Sequence, residues 1–352
     1  MGPCCLDPAS NLYVMDVQAA TLRQVSPTGV VTTLFTGFPV GGGLARDAQG
    51  NFYGVRNRTI VRVSPTGAQQ VWAGQAGVLG YADGPGATAS FANPKGLAFD
   101  RQGNLLVCDA SELSYEYLSV YLTNTYGSTI RSITLAGVVS TVAGIPGRFF
   151  RDYDYWNQNP IAHQDVTFLT PKALVTDSTG RLWVLDVTGV RRVDLASNTA
   201  VWLVKEHFTT VTSMSLLPGS SGDLCLARDN VISVLSAEGI ETVVAGVAGS
   251  TTGVQLGALP ARLGPISSMA CVTLDGLRDG RCLAGVRRER GLASAAALKP
   301  GFWRACPPRS MFNPFNQSKR TSTRHADQPR RLRRPPRTAP HRRQPAALPT
   351  AA

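Results

Sequence analysis

One phrase repeats along this chain, and it constrains the fold more than any other feature. Its clearest copy runs from Gly96-Leu97-Ala98-Phe99-Asp100 through the turn at Gln102-Gly103 into Leu105-Leu106-Val107-Cys108-Asp109. Thr129 to Ile133 and Val138 to Ala143 complete it. A unit of four short strands cannot bury both faces of its own small sheet, so it must stack on copies of itself. The arrangement that satisfies every copy is a radial propeller.

Five copies superpose on the landmarks Asp100 and Gly137. The first uses 3–7, Leu12–Asp16, Leu22–Val25 and Val30–Leu34; the second uses Leu44–Asp47, Asn51–Val55, Thr59–Val63 and Gln69–Trp72. The fourth uses Ala173–Asp177, Leu182–Asp186, Val190–Leu195 and Ala200–Val204, and the fifth Met214–Leu217, Asp223–Ala227, Val231–Leu235 and Ile240–Val244. All alternate apolar and polar residues over short runs rich in Val, Ile, Leu and Thr, bounded by Gly, Pro, Asn or Asp, which is a strand pattern. Ser-Pro-Thr-Gly stands at the same place in the first two copies, Ser26–Gly29 and Ser64–Gly67. Pro presets φ and Gly permits the tight return.

A sixth copy opens with Ser268 to Gly276 and then stops. The expected fold is therefore all-β: five four-stranded blades plus the first strand of a sixth over residues 3–276, an incomplete ring, followed by a disordered tail at 277–352. Runs such as Arg330-Arg331-Leu332-Arg333-Arg334 cannot bury enough apolar surface to offset chain entropy. A shifted reading frame or a mis-joined exon gives the same abrupt change, so an artefactual tail stands as the alternative. The charge follows this division. Residues 1–275 carry 17 Lys+Arg against 20 Asp+Glu, net −3, and residues 276–352 carry 18 against 3, net +15, which together make the chain's +12.

The stretch from Pro94-Lys95-Gly96 to Ala143-Gly144, with Gly80-Tyr81-Ala82-Asp83-Gly84 to Phe91 before it, resembles NHL-repeat proteins over about residues 3–276. The resemblance implies a six-bladed β-propeller whose first strands line a central channel. It further implies a scaffold for binding protein, nucleic acid or small ligands, and some members of that family are enzymes.

Catalytic and metal chemistry find little support in the residues. The repeat region holds only His163 and His207, and no Gly-x-Ser-x-Gly, His-Glu-x-x-His or phosphate-cradling loop occurs. Asp7, Asp47, Asp100, Asp177 and Asp275 recur at the end of the first strand, where Asp ordinarily accepts hydrogen bonds from the following turn. No metal, no cofactor and no catalytic residue is assigned. Seven cysteines show no Cys-x-x-Cys spacing; Cys108 and Cys225 read as buried apolar side chains at matching strand positions, and the odd count favours a reducing compartment. The first residues lack the basic and apolar stretches of a secretory signal, and no apolar run is long enough to span a membrane, so the default expectation is cytoplasmic.

Function is expected on one face. In an antiparallel blade, the loop between strands two and three lies on the same side as the connection to the next blade. In the third unit the first of these, Ala110 to Ser128, carries Tyr115, Tyr117, Tyr121 and Tyr126; the second, Ile145 to Thr170, carries Phe149, Phe150, Tyr153, Tyr155 and Trp156. Aromatic residues on loops of a rigid scaffold supply contact area at low entropic cost. Loops that cover their own rings, or a retained intron, are the competing readings. The expectation is a non-enzymatic module that binds a protein or peptide, with a basic partner favoured by Glu112, Glu116, Asp152 and Asp154. RNA binding ranks second, because phosphate neutralisation wants a basic domain and Arg56, Arg58, Arg62, Arg191 and Arg192 read as solvated surface. A channel-based hydrolase or lyase ranks third.

Overall fold

The computed structural model describes residues 4–110, 128–146, 160–205, 211–217, 220, 222–228 and 230–246, together with the strand pairing of 266–273, 280–286 and 295–296. Every element in these residues is a strand. Blade one is β1 (Cys4–Leu6), β2 (Leu12–Asp16), β3 (Thr21–Val25) and β4 (Val31–Thr36); blade two is β5 (Ala45–Arg46), β6 (Phe52–Arg56), β7 (Thr59–Val63) and β8 (Gln69–Ala73). Blade three adds a two-residue strand, β9 (Gly84–Pro85), to β10 (Pro94–Phe99), β11 (Leu105–Asp109), β12 (Thr129–Ile133) and β13 (Val138–Ala143). Blade four is β14 (Pro171–Thr176), β15 (Leu182–Asp186), β16 (Gly189–Asp194) and β17 (Thr199–Lys205). Blade five is β18 (Val211–Leu216), β19 (Leu224–Arg228), β20 (Val231–Leu235) and β21 (Glu241–Gly246). Each is an antiparallel meander in chain order, except that β9 pairs with the outer edge of β13.

The sixth sheet is larger than the sequence pattern indicates. The single expected strand is β22 (Ile266–Thr273), and it pairs with β23 (Gly280–Val286), which in turn pairs with β24 (Ala295–Ala296). Both added strands come from the region expected to be a disordered tail. Their pairing partner supplies the order that their own weak pattern does not. The inner strands meet around the whole circuit: β1 with β5, β5 with β10, β10 with β14, β14 with β18, β18 with β22, and β22 again with β1. The circuit is thus continuous at its centre, while the sixth sheet has three strands among the described residues where the other blades have at least four.

Local chemistry explains the repeat. Gly29 and Gly67 sit at φ of 86° and 89° and donate to the carbonyls of Ser26 and Ser64 at 2.8 and 2.9 Å, so Ser-Pro-Thr-Gly closes the third-to-fourth strand turn. In blades one to four an Asp at the end of the first strand closes the other turn. Asp7, Asp47 and Asp100 each accept from the backbone N–H of Asn11, Asn51 and Asn104 at 2.8 Å, and Asp177 accepts from that of Arg181 at 3.1 Å. Asp275 lies outside the described residues. Tyr13 and Tyr53 donate their hydroxyls to Asp7 and Asp47; burial and the neighbouring carboxylate push the Tyr13 phenol up to about 12.

The core lies between blades. Tyr13, Met15, Leu22, Phe52 and Val63 fill the first junction; Tyr53, Ile60, Phe91, Leu105 and Val107 the second; Leu106, Ile130, Phe168, Leu174 and Leu182 the third; Trp183, Leu185, Met214, Leu224 and Leu226 the fourth. Near the axis the inner strands approach closely. A Cβ on Gly96 would stand 2.8 Å from the Cα of Ala173 and 2.9 Å from the carbonyl oxygen of Lys172. The two cysteines expected to match do not: Cys108 is fourth in its strand and Cys225 second in its own. Cys108 is a buried free thiol, and burial pushes its pKa up, whereas Cys225 is disulfide-bonded. That bond departs from the reading of Cys225 as a buried apolar side chain of a reducing compartment.

Candidate functional site

All eight candidate partner-binding residues, Tyr115, Tyr117, Tyr121, Tyr126, Phe149, Tyr153, Tyr155 and Trp156, lie outside the described residues, as do Phe150 and His207. What the structure describes is the ground on which their two segments stand. Ser128, where the chain returns from the first segment, forms an antiparallel bridge with Phe168, where it returns from the second. The Ser128 hydroxyl donates to the carbonyl of Leu169 at 2.9 Å. At the other end of the second segment, the Gly144 N–H donates to the carbonyl of His163 at 3.0 Å, and Ile161 exchanges backbone hydrogen bonds with Ala200. The feet of both segments therefore share one side of blades three and four, as strand polarity requires.

This ground is held by buried charge. Asp109, the last residue of β11, is fully buried and accepts from the N–H groups of Ala92 and Asn93 at 2.8 to 3.1 Å. Its partner is Arg131, also fully buried, at 3.3 Å. Arg131 reaches further, to Asp83 at 2.6 Å and to the carbonyls of Tyr81, Ala82 and Ser90, with its guanidinium 5.3 Å from the centre of the Phe91 ring. One side chain thus joins the foot of the 111–127 segment to the strap of residues 81–91 that carries β9. Burial raises the Asp109 carboxyl to about 6, against the two N–H donors and Arg131, which pull it down.

Blade four repeats the device with a different filling. Asp186, buried at the end of β15, accepts from the N–H groups of Leu169 and Thr170 at 2.9 and 3.0 Å. Arg191 stands in the register place of Arg131, with its guanidinium 3.7 Å from the centre of the Trp202 ring and 5.7 Å from that of Phe168. The sequence carries a signal for this clamp that strand periodicity alone passes over. Asp closes the second strand and Arg sits third in the third strand of blade three and of blade four, each preceded by Phe-x-x-Pro-Lys at 91–95 and 168–172.

Of the arginines read as solvated surface, Arg191 is 3% exposed. Arg56 donates to the carbonyl of Gly37 and to Gln69, Arg58 to the carbonyl of Ala92, and Arg192 to that of Ala237. Four of the five are thus engaged with the fold itself, Arg56 and Arg58 from the hairpin between β6 and β7, Arg191 and Arg192 from β16. Arg62 is exposed.

Among the described residues, no three His, Cys, Asp or Glu side chains converge as a metal site, and no helix is long and apolar enough to cross a membrane. A groove of about 200 Å³ lies on blade two, lined by Arg56, Thr59, Val61, Gln69, Gln70 and Val71 among others. It falls below the size range of small-molecule pockets.

No family model matches the sequence, and no curated protein does. Solved structures do. A putative gluconolactonase aligns with a TM-score of 0.51 at 15% identity, covering 81% of this chain and 84% of its own. A gluconolactonase from Xanthomonas campestris aligns at 0.51 and 14%, covering 80% and 81%. A protein of unknown function from Bacteroides thetaiotaomicron aligns at 0.53 and 13%, covering 81% and 66%. At such identities the likeness shows a shared β-propeller fold alone.

Proposed function

We propose that this chain is an NHL-like propeller that binds a protein or peptide, without catalysis, on the face carrying residues 111–127 and 147–159. The observation that carries the reading is the joined footing at Ser128 and Phe168, set on the Asp109–Arg131 clamp. The two segments hold six of the chain's nine tyrosines and are joined at their described ends, and binding residues gather on loops so supported. Tyr117, Tyr121, Tyr155 and Trp156 are the proposed anchors, with Tyr115, Tyr126, Phe149 and Tyr153 beside them in sequence. Glu112, Glu116, Asp152 and Asp154 among these rings, in a repeat region of net charge −3, favour a basic peptide over a polyphosphate.

The test is binding of the full chain to an array of Lys- and Arg-bearing peptides, with single-stranded RNA as competitor. For a peptide that binds, Trp156→Ala should cost about 2 kcal/mol or more of affinity with an unchanged unfolding midpoint. An unfolded Trp156→Ala chain with unaltered affinity per folded molecule would mean that the rings form a local core. Preferential RNA binding with a steep salt dependence would move the assignment to nucleic acid, and stoichiometric bound metal would revive a channel-based hydrolase or lyase.

A further inference from the structure

Residues 1–275 contain three lysines, and two of them, Lys95 and Lys172, occupy one structural place in neighbouring blades. Each ends a Phe-x-x-Pro-Lys run and is the second residue of its blade's inner strand, β10 or β14. In both strands the first residue pairs with the Asp that closes the second strand, Pro94 with Asp109 and Pro171 with Asp186. The register then slips across the lysine, resuming at Leu97 in blade three and at Ala173 in blade four. A bulge of this kind releases a residue from the ladder and re-aims its side chain. The backbones of the two places touch: a Cβ on Gly96, next to Lys95, would stand 2.9 Å from the Lys172 carbonyl oxygen.

Regular alternation sends the side chains of an inner strand into the junctions on its two sides. Lys172 does not follow it: the residue is exposed, whereas Pro171 and Leu174 are buried. β15 lies along one edge of β14, and β10 and β18 lie to either side. The solvent that Lys172 reaches is therefore at the axis, at the end of the ring marked by Asp109 and Asp186. Desolvation nonetheless lowers the Lys172 pKa, with Asp186 opposing it. An ammonium open to water that still loses hydration fits a narrow opening, where protein surrounds it without closing over it. Blade five has Thr212 at this place, and its hydroxyl donates to the carbonyl of Ala227.

No hydrogen bond or ion pair among the described residues engages either ammonium. Arginines of the same blades are engaged: Arg131 with Asp83 and Asp109, Arg181 with Asp177, and Arg192 with the carbonyl of Ala237. We propose that Lys95 and Lys172 form an anion site at the axial mouth of the ring, which takes the carboxylate group of a ligand. Ammonium groups on adjacent strands can each donate to one carboxylate oxygen. A single carboxylate suits the local charge, because Asp186 acts against the two cations and the repeat region carries net −3, which disfavours a polyphosphate. A small organic acid and the free C-terminus of a peptide present the same group. The site uses no residue of the two aromatic segments, so it holds or fails separately from the aromatic face.

The full chain is titrated by calorimetry with propionate, with inorganic phosphate, and with a short peptide whose C-terminus is either free or amidated. Binding of propionate identifies a small organic acid as sufficient, and binding of the free peptide but not the amidated one identifies a peptide terminus; either supports the site. Lys95→Met and Lys172→Met should each weaken that binding about tenfold, with Lys172→Arg keeping most of it and all three variants melting like the parent. In the native chain, acetylation of Lys95 and Lys172 by a reactive ester, read by mass spectrometry against Lys319, should slow when the bound probe is present. This labelling keeps the proposal decidable if a variant fails to fold. Absence of binding and of slowing with every probe, unchanged affinity in both Met variants, or equal slowing by sodium chloride at matched ionic strength overturns the proposal. Tighter binding of phosphate than of either carboxylate probe would refute the carboxylate assignment.

Discussion

Blades two and three are neighbours in the ring, yet they close the hairpin between second and third strands in opposite ways. In blade two the chain turns at once through Arg56, Asn57, Arg58 and Thr59, with Asn57 and Arg58 at φ of 46° and 65°, as a two-residue hairpin loop requires. In blade three the equivalent cross-strand pair is Asp109 with Thr129, and residues 110–128 intervene. The third-strand position that holds Val61 in blade two holds Arg131 in blade three. Blade two fills that position with an apolar side chain beside its tight turn, whereas blade four keeps a two-residue turn between Asp186 and Gly189 and still places Arg191 there. In blade three, where residues 110–128 separate the two strands, a buried ion pair fixes the strand ends to the neighbouring strap. The turn of blade two contributes to the same anchor, since Arg58 donates to the carbonyl of Ala92 while Asp109 binds its N–H.

The comparison breaks if the clamp is dispensable. Arg131→Met should destabilise the chain by about 3–5 kcal/mol, because it leaves Asp109 buried without its cation. Arg56→Met in blade two, which removes exposed contacts only, should stay within about 1 kcal/mol. Equal shifts in denaturant midpoint for the two variants would show that the opened hairpin needs no special anchor.

Gly144 tests the footing from the other side. It sits at φ of 89°, and a Cβ there would stand 2.9 Å from the Ser128 carbonyl oxygen. Gly144→Ala should cost about 3 kcal/mol through combined strain and collision, and it should speed proteolysis within 111–127 more than elsewhere. A neutral Gly144→Ala in urea unfolding would dissociate the two segments.

The pH dependence separates the regions by sign. Asp109 has a folded pKa of about 6 against 3.8 for the free group, so the folded state holds that proton more tightly. Its contribution is fully present below about pH 4 and is lost as pH rises through 6. Asp7 and Asp177 act oppositely, because in them the upward push of burial is outweighed by turn hydrogen bonds and the pKa is lowered. Their contribution is present above about pH 4 and is lost as pH falls further. Between pH 4 and 6.5 the unfolding free energy should therefore decline by about 1–2 kcal/mol, and Asp109→Asn should flatten that decline. A decline that persists unchanged in Asp109→Asn would assign it to another group.

The smallest effect belongs to the lean blades. Gly29 is at φ of 86° with nothing within 4 Å of the place a Cβ would take, so Gly29→Ala should cost only the left-handed conformation, about 1 kcal/mol. A cost as large as that of Gly144→Ala, read by thermal melting, would mean that turns in blade one are as constrained as the footing in blade three.

Much of this architecture was legible in the residues because its determinants are local. Ser-Pro-Thr-Gly and the Asp followed four residues later by Asn close their turns with hydrogen bonds among neighbours, and period-two alternation fixes which side of each strand is buried. Five blades, their order and their turn types follow from that alone. Of the candidate face only the footing is described: Ser128 and Phe168, where the two aromatic segments end, meet as strand polarity predicts, while the rings themselves lie outside the described residues.

What tertiary structure decided is everything that depends on partners distant in sequence. Arg131 and Arg191 look like surface arginines in an alternating strand, and only side chains from other segments, Asp109 and Phe91 or Trp202 and Phe168, make burial of a guanidinium tolerable. β23 and β24 lie in residues whose local pattern is poor, and they are strands because β22 offers an edge to pair with. Closure of the inner circuit from β22 to β1 joins the two ends of the repeat region. Turns and periodicity are properties of a few consecutive residues, so the sequence determines them unaided; burial of charge and closure of a ring are properties of contacts between segments, which exist only once the blades have packed.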